Sequence, residues 1–154
     1  MSEKPSTNDI RVAASSWESL FRAQVAVMRR IQRGKEFHEL ALREYDVLFT
    51  LSSCPSGWLR LNELNDHVLL SQSSLSRLVE RLETRGLVER TTAPEDGRGV
   101  LLRLTPEGSE LQKRIGRGHV QTIAEVMLPA LTREEMKQLE VLTDKLRAGV
   151  VANS

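Results

Sequence analysis

One cysteine, Cys54, is all that this chain carries, so it cannot close a disulfide on itself or build a cysteine-rich zinc site. The three histidines, His38, His67 and His119, are scattered, with no pair on one helix face. Metal sensing therefore lacks convergent ligands, and neither a metal nor a cofactor is expected. No apolar run approaches the roughly 18 to 20 residues of a membrane span. The opening MSEKPSTNDI also lacks the basic start and apolar middle of a signal peptide, so the expected location is cytoplasmic, with no membrane partner. Neither sign of charge dominates: 22 Lys and Arg stand against 21 Asp and Glu, a formal net charge of +1. Any basic surface must come from arrangement, since composition does not supply it. A nucleophile elbow, a P-loop, a dinucleotide fingerprint and a metal pair are missing too, so no enzymatic activity is expected. There is no internal repeat and no low-complexity stretch.

What remains is a chain of 154 residues, 40% hydrophobic, enough for one domain with helical extensions. A helical pattern starts near Asn8 or Asp9, either of which could cap it, and places Ile10, Ala13, Ala14, Trp17, Leu20, Phe21, Val27, Met28 and Ile31 on one stripe, interrupted by Gln24. A second helix runs through LREYDVLFTLSS and ends before Pro55 and Gly57. A short helix over Leu61 to Val68 follows, and then, after Ser71, one with a core face of Leu75, Leu78, Val79 and Leu82 that Gly86 stops. There the period changes. Leu87 to Thr91 and Val100 to Leu104 read as strands of a hairpin whose long charged tip is Ala93 to Gly99. Thr105 and Pro106 open a helix to about Met127, with Gly116 and Gly118 as weak points. A last helix follows the capping box of Thr132 and Glu135, with Met136, Leu139, Leu142, Leu146 and Val150 on its apolar side.

The segment SQSSLSRLVERLETRG shows why a soluble chain would crowd hydroxyls at a helix start. At about 100° per residue, Ser73, Arg77, Glu80 and Thr84 point away from the core face, flanked by Ser74, Ser76 and Arg81. Small hydroxyls permit close backbone approach, and a helix N-terminus offers free N–H groups and the positive end of its dipole, which favour phosphate. Gln72 and Arg77 carry donors suited to base edges or phosphate oxygens. Serines at a helix start are also ordinary caps. The order of elements decides between the two: short helix, turn, helix and hairpin make a helix-turn-helix with a wing, whose second helix enters the major groove of duplex DNA. Glu80 opposes phosphate on this face; it would accept from a cytosine amino group or hold Arg77 or Arg81 in place.

ELALREYDVLFTL, LNELNDHVLLSQSSLSRLVERLETRGLVER and APEDGRGVLLRLTPEGSEL together resemble the MarR family of bacterial transcription regulators over about Leu40 to Leu111. The resemblance implies a mainly α fold, a winged helix-turn-helix with a small β-hairpin wing and terminal dimerisation helices. It implies a homodimer acting on a pseudo-palindromic operator, most simply as a repressor. Asp96, Arg98, Leu104, Thr105 and Gly108 match the family's D-x-R followed by L-T-x-x-G. On that match Arg98 would enter the minor groove, with Asp96 orienting its guanidinium, and a narrow minor groove does attract arginine. The DNA-binding set is thus Gln72, Ser73, Ser74, Ser76, Arg77, Arg81, Asp96 and Arg98. The chain departs from the family at Asn65, where alanine is usual, at Leu69, where the turn residue is small, at Ser76 in place of threonine, and at Ala41 in place of a threonine cap.

The expected organisation is an N-terminal dimerisation helix over 1–36, a winged DNA-binding domain over 37–111 and C-terminal dimerisation helices over 112–154. The apolar stripes of the terminal helices need a partner, a second copy or each other, and two symmetric half-sites favour the second copy. Many relatives bind small aromatic or phenolic acids between dimerisation helices and DNA-binding lobe. Here Trp17, Phe21, Arg22, Phe37, His38 and Tyr45 are the candidates, although Trp17 and Phe21 also read as dimer core. A winged helix used only for protein contacts is the alternative. Cys54, near a helix C-terminus where the dipole disfavours thiolate, reads as a packed side chain.

Overall fold

The computed structural model describes residues 4–68, 70–95 and 97–152. It has six helices and three short strands among them: α1 (Thr7–Ile31), α2 (Leu42–Ser52), β1 (Leu59–Arg60), α3 (Leu61–His67), α4 (Gln72–Thr84), β2 (Val88–Thr92), β3 (Val100–Leu104), α5 (Pro106–Met127) and α6 (Arg133–Ala152), with a 3₁₀ turn at Lys35–Phe37. The chain forms two compact units, one of residues up to Gly34 together with those from Val120 onward, the other Lys35–His119. The helix α5 runs on unbroken from one into the other, past Gly116 and Gly118.

In the Lys35–His119 unit, α2, α3, α4 and the first half of α5 surround a leucine-rich core. Val47, Leu48, Leu64, Leu75, Leu82 and Leu102 are fully buried, and Leu111 and Ile115 nearly so. The α4 stripe of Leu75, Leu78, Val79 and Leu82 is buried as its spacing required. Truncating any of these leucines to alanine removes methyl groups from a packed interior, at about 2–5 kcal/mol.

The hairpin expected from the sequence is a three-stranded antiparallel sheet of order β1-β3-β2. The added strand is two residues long, pairing Leu59 with Leu102 and Arg60 with Leu101. Nothing in so short a segment shows a period of two, so only pairing could define it. The second strand begins at Val88, one residue later than expected. Across β2 and β3, Glu89 stands opposite Arg103, and the two form an ion pair at 2.8 Å while Arg103 lies 4.5 Å over the Trp58 ring.

Capping explains most boundaries. The first helix is capped by Ser6, ahead of both Asn8 and Asp9: the Ser6 hydroxyl accepts from the Asp9 N–H, and the Asp9 carboxylate accepts from the Ser6 N–H. Asp9 is thus the third residue of a capping box, and the Ser6 hydroxyl, donating to its carboxylate at 2.6 Å, together with the Ser6 N–H holds that carboxyl below its ordinary pKa. At α2 the cap position is Ala41, which has no side-chain acceptor; Glu44 accepts from its N–H at 3.0 Å and supplies half of the box. Thr132 and Glu135 make the full box expected for α6. Gly86, at φ +74°, turns the chain out of α4, a conformation open to glycine at little cost.

Thr105 and Gly108 fix how α5 starts. The Thr105 hydroxyl donates to Gly86 O at 2.6 Å and accepts from the Gly108 N–H at 3.0 Å. Gly108 lies against backbone: a Cβ there would sit 2.0 Å from Leu87 O. The L-T-x-x-G pattern is therefore a packing device that clamps α5 to the end of α4.

Candidate nucleic-acid interface

The fourth helix presents its first turn to solvent. Ser71 caps it, accepting from the Ser74 N–H at 3.2 Å and donating to Ser74 Oγ at 2.8 Å, with Ser73 Oγ 3.3 Å away. Gln72, Ser73, Ser74 and Arg77 are exposed, whereas Ser76 is half-buried at the edge of the core face. Gln72 Nε2 reaches Asn62 Oδ1 of α3 at 3.4 Å, a contact between the two helices of the motif. The turn joining them includes Leu69, which lies outside the described residues, while Asn65 keeps a buried Oδ1 without a hydrogen-bond partner.

Further along, α4 carries a basic groove of about 760 Å³ lined by Arg77, Arg81, Arg85 and Arg90 with Glu80 and Glu83 among them. Arg81 and Arg85 lie 3.8 and 3.7 Å from the two oxygens of Glu44, whose side chain is only 14% exposed. Arg90 pairs with Glu83 at 3.1 Å. Arg81, read from the sequence as a DNA residue, thus also ties α4 to α2, a role that periodicity could not reveal. Glu80 is exposed in this groove between Arg77 and Arg81.

Between β2 and β3 the tip folds on itself: Ala93, buried, donates to Gly99 O at 2.7 Å, and Gly97, at φ +65°, donates to Ala93 O at 3.2 Å. Arg98 is exposed on this tip. Asp96, its expected orienting partner, lies outside the described residues. Glu95 instead pairs with Arg60, a contact between residues 35 apart in the chain that no local pattern signals. The winged unit thus holds the exposed serines and Arg77 of α4 and Arg98 of the wing on one frame.

A sequence profile described as the MarR family matches residues 38–99. The multiple antibiotic resistance protein MarR of Salmonella typhimurium is 32% identical over 108 residues, covering 70% of this chain and 74% of that protein. The chain belongs to the MarR family. The HTH-type transcriptional regulator PecS of Dickeya dadantii is 26% identical over 136 residues, 88% of this chain and 81% of that one. Among solved structures, Sco3205, a MarR family transcriptional regulator from Streptomyces coelicolor crystallised in complex with DNA, superposes with a TM-score of 0.75 at 28% identity, covering 95% of this chain and 93% of that one. The MarR-family fold accounts for the winged helix and for the resemblance carried by the wing residues.

The candidate effector residues fall in different units. In the terminal unit, Trp17 is 63% exposed and stacks on Phe21 at 6.1 Å, and Arg22 pairs with Glu18 at 2.8 Å. In the winged unit, Tyr45 is buried, with Phe37 edge-on to it at 5.9 Å, and His38 is exposed. His119, which is not among the effector candidates, closes an aromatic group with Phe37 and Tyr45 at 5.3 and 5.2 Å. Its Nδ1 and Glu36 Oε1 are buried without hydrogen-bond partners. Beside it, burial raises the Asp46 carboxyl above its ordinary pKa, an effect that the neighbouring His119 partly offsets. Cys54 donates from Sγ to Trp58 O at 3.2 Å, just past the end of α2. No helix among the described residues is long and apolar enough to cross a membrane.

Proposed function

We propose that this DNA-binding transcriptional regulator acts as a homodimer that represses from a pseudo-palindromic operator. In each protomer the first turns of α4 enter the major groove, and Arg98 reaches the adjacent minor groove. The carrying observation is the pairing, on one frame, of an exposed serine-rich helix start with an arginine-bearing wing. Gln72, Ser73, Ser74, Ser76 and Arg77 serve readout and positioning in this arrangement. Arg81 lines the basic groove behind them, Asp96 orients Arg98, and no chemical step is catalysed.

The second copy covers the exposed apolar residues of the terminal unit: Trp17 and Phe21 on α1, and Leu139, Leu142 and Leu146 on α6. A small aromatic or phenolic acid then releases the operator; its candidate contacts are Trp17, Phe21 and Arg22 in the terminal unit and, separately, Phe37, His38 and Tyr45 in the winged unit. The aromatic character of these side chains supports that reading, and Arg22 supplies a cation for the acid.

Fluorescence anisotropy against random and selected duplexes tests the DNA role. If the dimer neutralises roughly 6–10 phosphates, affinity falls about 10³- to 10⁵-fold between 50 and 200 mM salt. A salt-independent signal, or none, would leave a winged helix used for protein contacts.

A further inference from the structure

We infer that Arg60 is a positioning residue for the wing, acting through Glu95 to hold the tip that carries Arg98 at a set distance from α4. The inference rests on the DNA-binding reading above and adds to it the element that sets the spacing of its two contacts.

Arg60 occupies a junction. Its backbone belongs to β1, opposite Leu101 of β3, and is also the cap position of α3, where its N–H donates to Glu63 Oε2 at 3.1 Å. The first helix of the helix-turn-helix therefore starts from this residue. Its guanidinium pairs with Glu95 in the wing tip. One residue thus joins the helix-turn-helix to the far end of the wing, beside the two-residue register of β1 on β3.

Between Thr92 and Val100 the backbone bonds from Ala93 to Gly99 and from Gly97 to Ala93 shape the tip, whose base is seated by the buried Ala93. The pair of Glu95 with Arg60 adds a tie from the tip to the start of α3. A wing free to swing would lose that freedom on reaching the minor groove, and the loss would subtract from the binding energy of Arg98. Pairing Glu95 with Arg60 restricts the tip beforehand. It also neutralises a carboxylate that stands three residues from Arg98 and would otherwise repel the phosphates on either side of the groove.

The side chains are 36% and 76% exposed, so the pair is partly screened and its effect modest. A double-mutant cycle of Arg60→Gln and Glu95→Gln, measured on a duplex that the parent protein enriches from a random pool, tests the assignment. Each single variant should weaken binding about twofold to fivefold, and the double variant should be no weaker than the worse single. The exchanged pair, Arg60→Glu with Glu95→Arg, should recover most of the loss. Amide exchange of Ala93 and Gly97 in the free protein should quicken in both single variants.

Three results would overturn it: tighter binding by Glu95→Gln; losses that simply add; or a loss in Arg60→Gln alone with a salt slope shallower by about one, which would make Arg60 itself a phosphate contact. Failure of the parent to bind any duplex would instead remove the DNA reading. The exchange measurement would still decide, without DNA, whether the pair orders the tip, and unchanged exchange would count against it.

Discussion

At the scale of single residues, charge and burial make different demands on similar side chains. Arg98 stands exposed on the wing and Arg81 leans toward a largely buried Glu44, so equal changes at the two should not be equivalent. Arg98→Ala should cost about 1–3 kcal/mol of operator binding, whereas Ser73→Ala should cost less and mainly alter base preference. Titrations on the selected operator and on scrambled DNA separate these effects, and an unchanged affinity in Arg98→Ala would take the wing out of the interface. Asp46 is a case of burial working against charge. Its pKa is raised in the fold, so the folded state holds a proton more tightly than the unfolded chain between the ordinary carboxylate value and the raised one. Stability therefore falls as pH rises through that window and stays lower above it. Asp46→Asn should raise the melting temperature near neutral pH and lose that advantage below the ordinary carboxylate range. A gain equal at both pH values would assign the effect to packing rather than to ionisation.

Among elements, the joints carry more information than the helices themselves. Apolar spacing placed α2 and α4 in the sequence because each has to bury a stripe; the α4 stripe is buried, as are Leu42, Tyr45, Leu48 and Leu51 of α2, while Phe49, expected on the same side, is 52% exposed. Where two elements meet, the deciding contacts come from distant positions. Gly108 is the sharpest example: the L-T-x-x-G match singles it out without giving a reason, and backbone atoms of Leu87 occupy the space a Cβ would need. Gly108→Ala should therefore destabilise the winged unit by about 1–3 kcal/mol or more, because the neighbouring atom is a carbonyl that cannot rotate aside. Chemical denaturation would report it. Gly116→Ala makes a fair comparison, since its new methyl would meet the Tyr45 hydroxyl at 3.1 Å, a milder approach and to a side chain rather than to backbone. Equal losses at the two glycines would refute the clamp.

For the whole molecule, the exposed apolar residues of α1 and α6 are the strongest sign of assembly. Leu142 and Leu146 are 64% and 52% exposed, and Trp17 is 63%, an arrangement that a second copy would relieve. Deleting the chain after Pro129 should convert a dimer into monomer or aggregate and abolish tight operator binding, because two half-sites would no longer be engaged together. Light scattering alongside anisotropy measures both consequences. A truncated protein that stays dimeric and binds as tightly as the parent would place the interface elsewhere.

Local chemistry determined, from the sequence alone, what periodicity and turn preferences can specify: six helical segments, the hairpin, the Gly86 stop, the Thr132 box and the face of α4 turned away from the core. These follow from interactions among residues a few positions apart, so a linear reading contains them. Tertiary structure decided the rest. The two-residue β1 exists only because β3 lies beside it, whereas the Ser6–Asp9 capping box, a contact across three residues, is as local as the Thr132 box and lay within reach of a linear reading. The pairing of Arg60 with Glu95, of Glu44 with Arg81, and the meeting of His119 with Phe37 and Tyr45 join residues remote in the chain. Ion pairs and ring contacts have no sequence period, and only a folded chain brings such side chains within reach of one another.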